Sequence, residues 1–150
     1  MAEFRYSDAG YALTKGFEAC RLSAYKDQGG IWTIGYGHTG PEVKDGLIIT
    51  QTQSDDLLEA DIASAVGCVR RLVKSVIHQN QFDALVDFVF NLGCSSLAES
   101  ILLRYVNECR FEEATVELLR WNHVRGVVVK GLTKRRQAEA DLFKKGESGS

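Results

Sequence analysis

A short strand-forming stretch between helical patterns constrains the fold of this chain more than any other feature of its sequence. Residues 23–37 are rich in Tyr, Ile, Trp and Thr, and the pair Gly29 and Gly30 interrupts them. β-Branched and aromatic residues on both sides of a glycine turn predict a β-hairpin. A third short strand is expected around residues 47–49, in the loop that follows. The predicted sheet is therefore small.

Helical patterns lie on both sides of this hairpin. The residues before it have apolar side chains at helical spacing, with Ser7 or Asp8 as the expected N-cap and Glu18 in the expected last turn. After it, Thr50 and Gln53 have the spacing of a capping box. The apolar pattern that follows predicts a helix of about 20 residues, or ~30 Å.

From residue 78 onward the sequence predicts helices joined by short turns. Residues 82–92 are apolar nearly all round, so we expect this helix to be buried. Residues 122–132 predict a loop or a short extended piece, and Thr133 is the expected cap of a last helix. A helix, a small antiparallel sheet and then several helices indicate an α+β fold. We expect a single domain over residues 1–150, with an N-terminal helix and β lobe at about 8–50, a bridging helix at about 51–75 and a helical lobe at about 76–145.

Charge and hydrophobicity exclude several classes of protein. The N-terminus has no apolar leader, and no segment approaches the ~20 apolar residues of a membrane span, so we expect a cytoplasmic protein without membrane insertion. The net charge of −2 and the lack of a recognised motif argue against a nucleic-acid partner. Residues 121–136 carry five cations and no acid. This stretch is either a solvated helix start or a basic rim facing an anionic polymer.

The chain has four cysteines, and their number and spacing bear on redox state and metal binding. Without an apolar leader they are expected to be reduced thiols, and their spacing fits no zinc pattern. If they were oxidised, three pairings would be open. No metal and no other cofactor is predicted. The four residues are Cys20, Cys68, Cys94 and Cys109.

Glu18, Asp27 and Thr33 are candidates for glycosidase chemistry. Eight residues separate Glu18 from Asp27, and five separate Asp27 from Thr33. Glu18 follows an apolar helix face, where burial favours the neutral carboxyl that a general acid needs. Asp27 has glycine and polar neighbours near the hairpin turn, a setting that suits an ionised carboxylate. Thr33, on the second predicted strand, adds a hydroxyl that can hold a water against Asp27.

Residues 17–40 resemble the active-site segment of the phage-type lysozymes (endolysins), the glycoside-hydrolase family that includes the lysozymes of T-even phages. That family has a Glu, eight residues, an Asp or Cys, five residues and a Thr, followed by a run like the one here from Trp32 to Thr39. The resemblance extends over about residues 8–145 and is carried further by segments 80–85, 90–94, 102–104 and 131–143.

This resemblance implies a lysozyme-like fold, in which a long helix joins a small β-hairpin lobe to a larger helical lobe. It also implies a muramidase that hydrolyses the β-1,4 bond between N-acetylmuramic acid and N-acetylglucosamine in peptidoglycan. Glu18 would be the general acid, and Asp27 and Thr33 would position the attacking water. The implied layout is inverting, which requires carboxyl groups roughly 6.5–9.5 Å apart.

Other residues receive supporting roles. The resemblance implies that an arginine of the last helix pairs with the catalytic glutamate, with Arg135 as the first choice and Arg136 as the second. It implies a structural, ion-paired role for His38. Trp32 and Tyr36 are candidates for stacking on sugars, and core packing is the alternative for both.

The resemblance further implies a monomer whose partner is peptidoglycan and whose release to the cell wall needs a holin-type pore. Two alternatives on the same fold stay open. A lytic transglycosylase would form an anhydro-sugar without water, which would leave Asp27 and Thr33 without a purpose. A non-enzymatic wall-binding protein would have lost the acid, and Glu18 is present.

Overall fold

A computed structural model describes residues 4–149, with side chains over residues 4–145. Residues 1–3 and 150, which the single-domain prediction includes, lie outside the described residues. The described chain forms two compact units: Thr14–Ser64 is one, and the remaining described residues form the other. Helices dominate, and two small antiparallel sheets accompany them. The predicted α+β class is confirmed.

The first helix and the predicted hairpin lead into the smaller unit. Helix α1 spans Asp8–Phe17, and the hydroxyl of Ser7 accepts a hydrogen bond from the Gly10 amide at its start. Strands β1 (Arg21–Lys26) and β2 (Trp32–Gly35) then pair antiparallel, which confirms the hairpin.

The expected third strand is wrong. Around residue 48 there is a single bridge, between Ser23 and Ile48. Two backbone hydrogen bonds flank it, from Ala24 to Leu47 and from Ile49 to Leu22. A segment that pairs at one residue adds an edge contact to the hairpin and does not continue the sheet.

The capping box of the long helix is confirmed. Helix α2 spans Gln51–Leu72. At its start the Thr50 amide donates to the Gln53 side chain at 2.8 Å, and the Gln53 amide donates to the Thr50 hydroxyl at 3.1 Å. The two side chains thus satisfy two amides that the first helical turn leaves without partners.

Five helices of the described chain lie wholly within the larger unit. The first of them, α3, has every residue from Gln81 to Val89 buried, as its apolar sequence predicts. The fully buried rings of Phe82 and Phe88 anchor it, and truncating a ring of this kind typically costs about 3–5 kcal/mol. These five helices are α3 (Gln79–Leu92), α4 (Cys94–Ala98), α5 (Ile101–Asn107), α6 (Phe111–Leu119) and α7 (Lys130–Gly149).

A second hairpin lies between the last two helices. Strands β3 (His123–Val124) and β4 (Val127–Val128) pair antiparallel, so the extended piece expected within residues 122–132 is confirmed. The predicted cap of the last helix is wrong, because α7 begins at Lys130 and Thr133 lies inside it. The Thr133 amide donates to the Val129 carbonyl at 3.0 Å.

The cysteines correct a further expectation. Cys68 and Cys94 form a disulfide with a Cα–Cα distance of 5.9 Å, so the prediction of four reduced thiols is wrong for this pair. Their sequence separation of 26 gives no local cue to the pairing, which the packing of α2 near the start of α4 creates. Cys20 and Cys109 are free thiols. None of the helices within residues 4–149 has the length and apolar character needed to cross a bilayer.

Candidate active site

Glu18 is the first residue after α1. Its amide still donates to the Thr14 carbonyl at 3.0 Å, so the helical hydrogen bonding reaches it although the helix ends at Phe17. The side chain is half-buried. The end of a rigid helix therefore fixes the backbone that carries this carboxylate.

A tight turn after β2 forms the surface beside Glu18. Ile34 and His38 exchange two backbone hydrogen bonds at 2.8 and 2.9 Å, which closes the turn. Gly37, inside it, has a φ of +80°, and a Cβ at this position would lie 2.7 Å from Oε1 of Glu18. Only glycine combines this backbone conformation with such a close approach of a carboxylate. The carboxylate of Glu18 therefore packs directly against the backbone of this turn at Gly37.

Asp27 follows β1 directly and shapes the hairpin turn with its own side chain. Its Oδ1 accepts hydrogen bonds from the Gly29 amide at 2.8 Å and the Ile31 amide at 2.9 Å. The side chain is exposed, and Oδ2 accepts no hydrogen bond from any residue in the described part of the chain. One carboxylate oxygen is therefore fixed by the turn, and the other can accept a hydrogen bond from solvent or ligand.

Thr33 lies on β2, 4% exposed, and its hydroxyl donates to the Ile31 carbonyl at 2.9 Å. Because its one proton is used in this bond, Oγ1 is left to act as an acceptor. Thr33 pairs with Tyr25 in the hairpin register, and the Asp27 amide donates to Ile31. Asp27 and Thr33 are thus diagonal neighbours on one face, a relation that sets Cα atoms about 7–8 Å apart.

His38 lies between two carboxylates. Its Nδ1 is 2.8 Å from Asp61 Oδ2, and its Nε2 is 2.8 Å from Glu42 Oε1. Burial acts to lower the pKa of His38, but the hydrogen bonds to Glu42 and Asp61 outweigh it and hold the pKa above its ordinary 6.5. The same contact with His38 lowers the pKa of Glu42 below its ordinary 4.5.

Trp32 and Tyr36, the predicted sugar-stacking residues, are both half-buried. The Lys26 ammonium lies 5.4 Å from the centre of the Trp32 ring, and the Lys15 ammonium lies 5.5 Å from that of Tyr36. The Tyr36 hydroxyl also accepts a hydrogen bond from Gln51 at 3.3 Å. Each ring keeps part of its surface open, and the substrate-binding role stays a prediction.

The two arginines of the last helix lie in the larger unit. Arg135 is 4% exposed and donates from Nε and a terminal nitrogen to the two oxygens of Asp87, at 2.9 and 2.8 Å. Arg136 is fully buried and donates to Asn91 at 2.7 Å and Glu139 at 2.8 Å. The pairing of Arg135 with the catalytic glutamate stays a prediction.

Glu139 completes this buried group. It is fully buried, and burial raises its pKa well above the ordinary 4.5, aided by a hydrogen bond with Asp87 and opposed by Arg136. Arg135, Asp87, Arg136 and Glu139 therefore form one buried charged cluster in the larger unit, in which each guanidinium contacts its own carboxyl group.

The sequence left several of these residues unassigned. Glu42 lies four residues after His38, a spacing that could have suggested the contact. Asp61 and Asp87 carry no comparable local cue, because their partners are 23 and 48 residues away. No group of three or more His, Cys, Asp or Glu side chains among those that the structure describes, over residues 4–145, is arranged to hold a metal ion.

Comparison with known proteins shows which family this chain matches. A family model described as phage lysozyme matches residues 15–139. An endolysin of Bacillus phage B103 is 43% identical over 144 residues, which cover 95% of this chain and 55% of that protein.

Two solved structures are similar over nearly their whole length. The muramidase domain of SpmX from Asticaccaulis excentricus is 39% identical with a TM-score of 0.87, covering 95% of this chain and 99% of that one. An endolysin from Escherichia coli O157:H7 phage FAHEc1 is 34% identical with a TM-score of 0.88, covering 96% of each chain. The present chain spans about half the length of the Bacillus phage endolysins that it matches.

Proposed function

Because the chain belongs to the phage lysozyme family, we propose that it hydrolyses the β-1,4 bond between N-acetylmuramic acid and N-acetylglucosamine in bacterial peptidoglycan. The observation that carries the proposal is the hydrogen bonding of Asp27 and Thr33. Oδ1 of Asp27 accepts hydrogen bonds from two amides, and the hydroxyl of Thr33 donates to a carbonyl. The acceptors that remain are Oδ2 of Asp27 and Oγ1 of Thr33, which the hairpin register assigns to the same face.

A water between Asp27 and Thr33 would be oriented for attack. It would donate one hydrogen to Oδ2 of Asp27 and the other to Oγ1 of Thr33, since both atoms are acceptors. Its lone pair then points away from the hairpin, toward C1 of the sugar. As the C1–O bond breaks, Asp27 takes the proton that the water loses. A positioned base of this kind contributes about 10²–10⁴-fold in rate.

Glu18 supplies the proton for the leaving group. Its carboxyl protonates the glycosidic oxygen while water attacks from the opposite face, and the product anomer is inverted. The support for this role is the fixed position of Glu18 at the end of α1 and against Gly37. Arg135 is proposed to pair with Glu18, Trp32 and Tyr36 to contact the glycan, and His38 to hold the turn that contains Gly37.

Replacement of Glu18 tests the proposal. We expect Glu18→Gln to abolish the clearing of peptidoglycan suspensions, because an amide N–H is far too weak an acid to protonate the glycosidic oxygen, and to leave the far-UV CD spectrum unchanged. Glu59→Gln, on the exposed surface of α2, is the matched control and should clear at the wild-type rate. More than a tenth of wild-type activity in Glu18→Gln would remove Glu18 from the role of acid.

Product analysis separates this activity from a lytic transglycosylase. Hydrolysis leaves a reducing N-acetylmuramic acid end, and transglycosylation leaves a 1,6-anhydro end. Mass spectrometry of digested peptidoglycan should show the reducing end, and an anomer-sensitive measurement should show inversion.

We further propose that the chain acts as a monomer, after release from the cytoplasm to the cell wall through a holin-type pore.

A further inference from the structure

The β3–β4 hairpin and the residues that follow it expose an unusual amount of aliphatic surface. Val124 is 51% exposed, Val127 66%, Val128 57% and Val129 36%. In the hairpin register Val124 faces Val127, so these two share one face, and Val128 lies on the other. A large exposed cluster of apolar side chains is typical of a surface that binds another molecule. We call residues 123–130 the valine hairpin.

Positive charge accompanies the valines. Arg125 at the tip, Lys130 at the base and Lys134 one turn into α7 are all exposed, and residues 121–134 contain no acid. Arg135 and Arg136 are buried in ion pairs and do not add to this surface. The accessible charge of the valine hairpin is therefore positive, although the chain as a whole carries −2.

The tip residue is not the one that the backbone favours. Arg125 has a φ of +51° and Gly126 a φ of +78°, the left-handed conformation of a two-residue hairpin turn. Asn, Asp or Gly adopts this conformation readily at the first position, whereas a long side chain costs about 1–2 kcal/mol. Neither hairpin geometry nor packing explains an arginine at this exposed tip.

The base of the valine hairpin is firmly held. Trp121 packs edge-on against Phe88 with ring centres 5.4 Å apart. Asn122 donates from its side chain to Thr133 at 3.0 Å and accepts at its carbonyl from the Val129 amide at 2.8 Å. The exposed valines thus project from a rigid base.

We propose that the valine hairpin is a peripheral binding surface for bilayers that contain anionic phospholipids. The apolar side chains would enter the region between headgroups and acyl chains, and Arg125 and Lys130 would contact lipid phosphates. Arginine and lysine side chains are long enough to reach phosphates while their stems stay among apolar groups. This inference is separate from wall cleavage and needs no residue of the proposed catalytic site.

Charge complementarity and residue type favour this occupant over two others. An anionic wall polymer would satisfy the cations and leave the valines in water. A protein partner usually contacts Trp, Tyr and Arg, and valine is under-represented among the residues that dominate such interfaces. A two-residue strand is also too short to pair with an added strand. An anionic bilayer interface takes up both kinds of surface at once.

Sedimentation with lipid vesicles tests the inference on the full chain. Vesicles of phosphatidylglycerol and phosphatidylcholine should bind the protein, and phosphatidylcholine alone should not. The double variant Val124→Ser, Val127→Ser should weaken binding by about tenfold or more, because serine removes the apolar surface whose transfer from water into the bilayer would favour binding. Arg125→Asn should weaken it about fivefold, the effect of one cation at an anionic surface. Val76→Ser, 87% exposed elsewhere in the larger unit, is the control for the valines and should bind as wild type.

Four results would overturn the inference: no binding to phosphatidylglycerol vesicles, equal binding to phosphatidylcholine, unchanged binding of the double valine variant, or a loss in Val76→Ser that matches it. Unchanged valine variants with lost binding in Arg125→Asn would indicate a purely electrostatic surface for a polyanion. If the double variant fails to fold by CD, Val128→Ser replaces it with the same expectation. Because the assay contains no peptidoglycan, Glu18→Gln should bind vesicles as the wild type does, whatever becomes of the proposed activity.

Discussion

The two hairpins of this protein use their turns in opposite ways. In β1–β2, Gly30 takes the left-handed conformation with a φ of +80°, and Asp27 closes the turn by accepting hydrogen bonds from two amides. In β3–β4, Arg125 takes a left-handed position with a φ of +51°. The first turn therefore follows local backbone preference, and the second departs from it.

This difference allows the role of a side chain in its turn to be separated from its role in function. The turn around Asp27 needs an oxygen acceptor, which asparagine also supplies, whereas the proposed chemistry needs a negative charge. The turn at Arg125 gains nothing from arginine, and asparagine would suit it better. Replacement by asparagine should therefore lower activity with little change in stability at Asp27, and raise stability at Arg125.

Among the variants that compare these turns, Asp27→Asn has the largest expected effect. We expect kcat/KM on peptidoglycan to fall by at least ~10²-fold, because the amide cannot take a proton from water. The midpoint of urea unfolding should change little, since Oδ1 of asparagine still accepts from Gly29 and Ile31. Activity within threefold of wild type would remove the base from the mechanism, and a large loss of stability would show that the turn needs the charge.

The turn behind Glu18 gives the next effect. Gly37→Ala would bring a Cβ to 2.7 Å from the Glu18 carboxylate, and we expect activity to fall about tenfold or more, since a displacement of about 1 Å can cost ~10²-fold. Gly46→Ala is the matched control, because Gly46 has a φ of +88° and nothing within 4 Å of its added Cβ. Both variants should lose about 1–2 kcal/mol of unfolding free energy from backbone strain. If Gly46→Ala loses as much activity as Gly37→Ala, strain and not contact with Glu18 is the cause.

His38 makes the stability of this region depend on pH. Its pKa is raised in the folded state, so the stabilisation is fully present below the ordinary 6.5 and is lost as pH rises through the folded value. The unfolding free energy of wild type minus that of His38→Gln should therefore shrink as pH rises from ~6 to ~8.5. The lowered pKa of Glu42 contributes in the opposite direction, present above the ordinary 4.5 and lost as pH falls through the folded value. A difference that stays constant across neutral pH would contradict the ion-paired imidazole.

The smallest expected effect is a gain in stability. Arg125→Asn should raise the unfolding free energy by roughly 0.5–1 kcal/mol, because asparagine accepts the left-handed conformation at lower cost than arginine. Urea unfolding monitored by tryptophan fluorescence measures it. A loss of stability would mean that the arginine side chain stabilises the hairpin, and the contrast between the two turns would disappear.

Features that depend on neighbours in sequence were predictable. The capping box joins Thr50 and Gln53, three residues apart, and the β1–β2 hairpin follows from strand formers around a glycine turn. The expected strand at residues 47–49 failed because a single bridge to Ser23 replaces a ladder, and no sequence pattern records how far pairing extends. Thr133 has the residue type of a cap, but α7 begins three residues earlier, at Lys130, two residues after the end of β4.

The sequence by itself determined the kinds of elements, their order and the spacing of Glu18, Asp27 and Thr33, because periodicity, turn residues and caps act over a few residues. The tertiary structure decided which distant groups meet: Cys68 with Cys94, His38 with Asp61, and Arg135 with Asp87. It also decided that the Thr33 hydroxyl donates its hydrogen bond to a carbonyl and that Gly37 lies against Glu18. Such contacts depend on how elements that are far apart in sequence pack together, and no local pattern in the sequence records that packing.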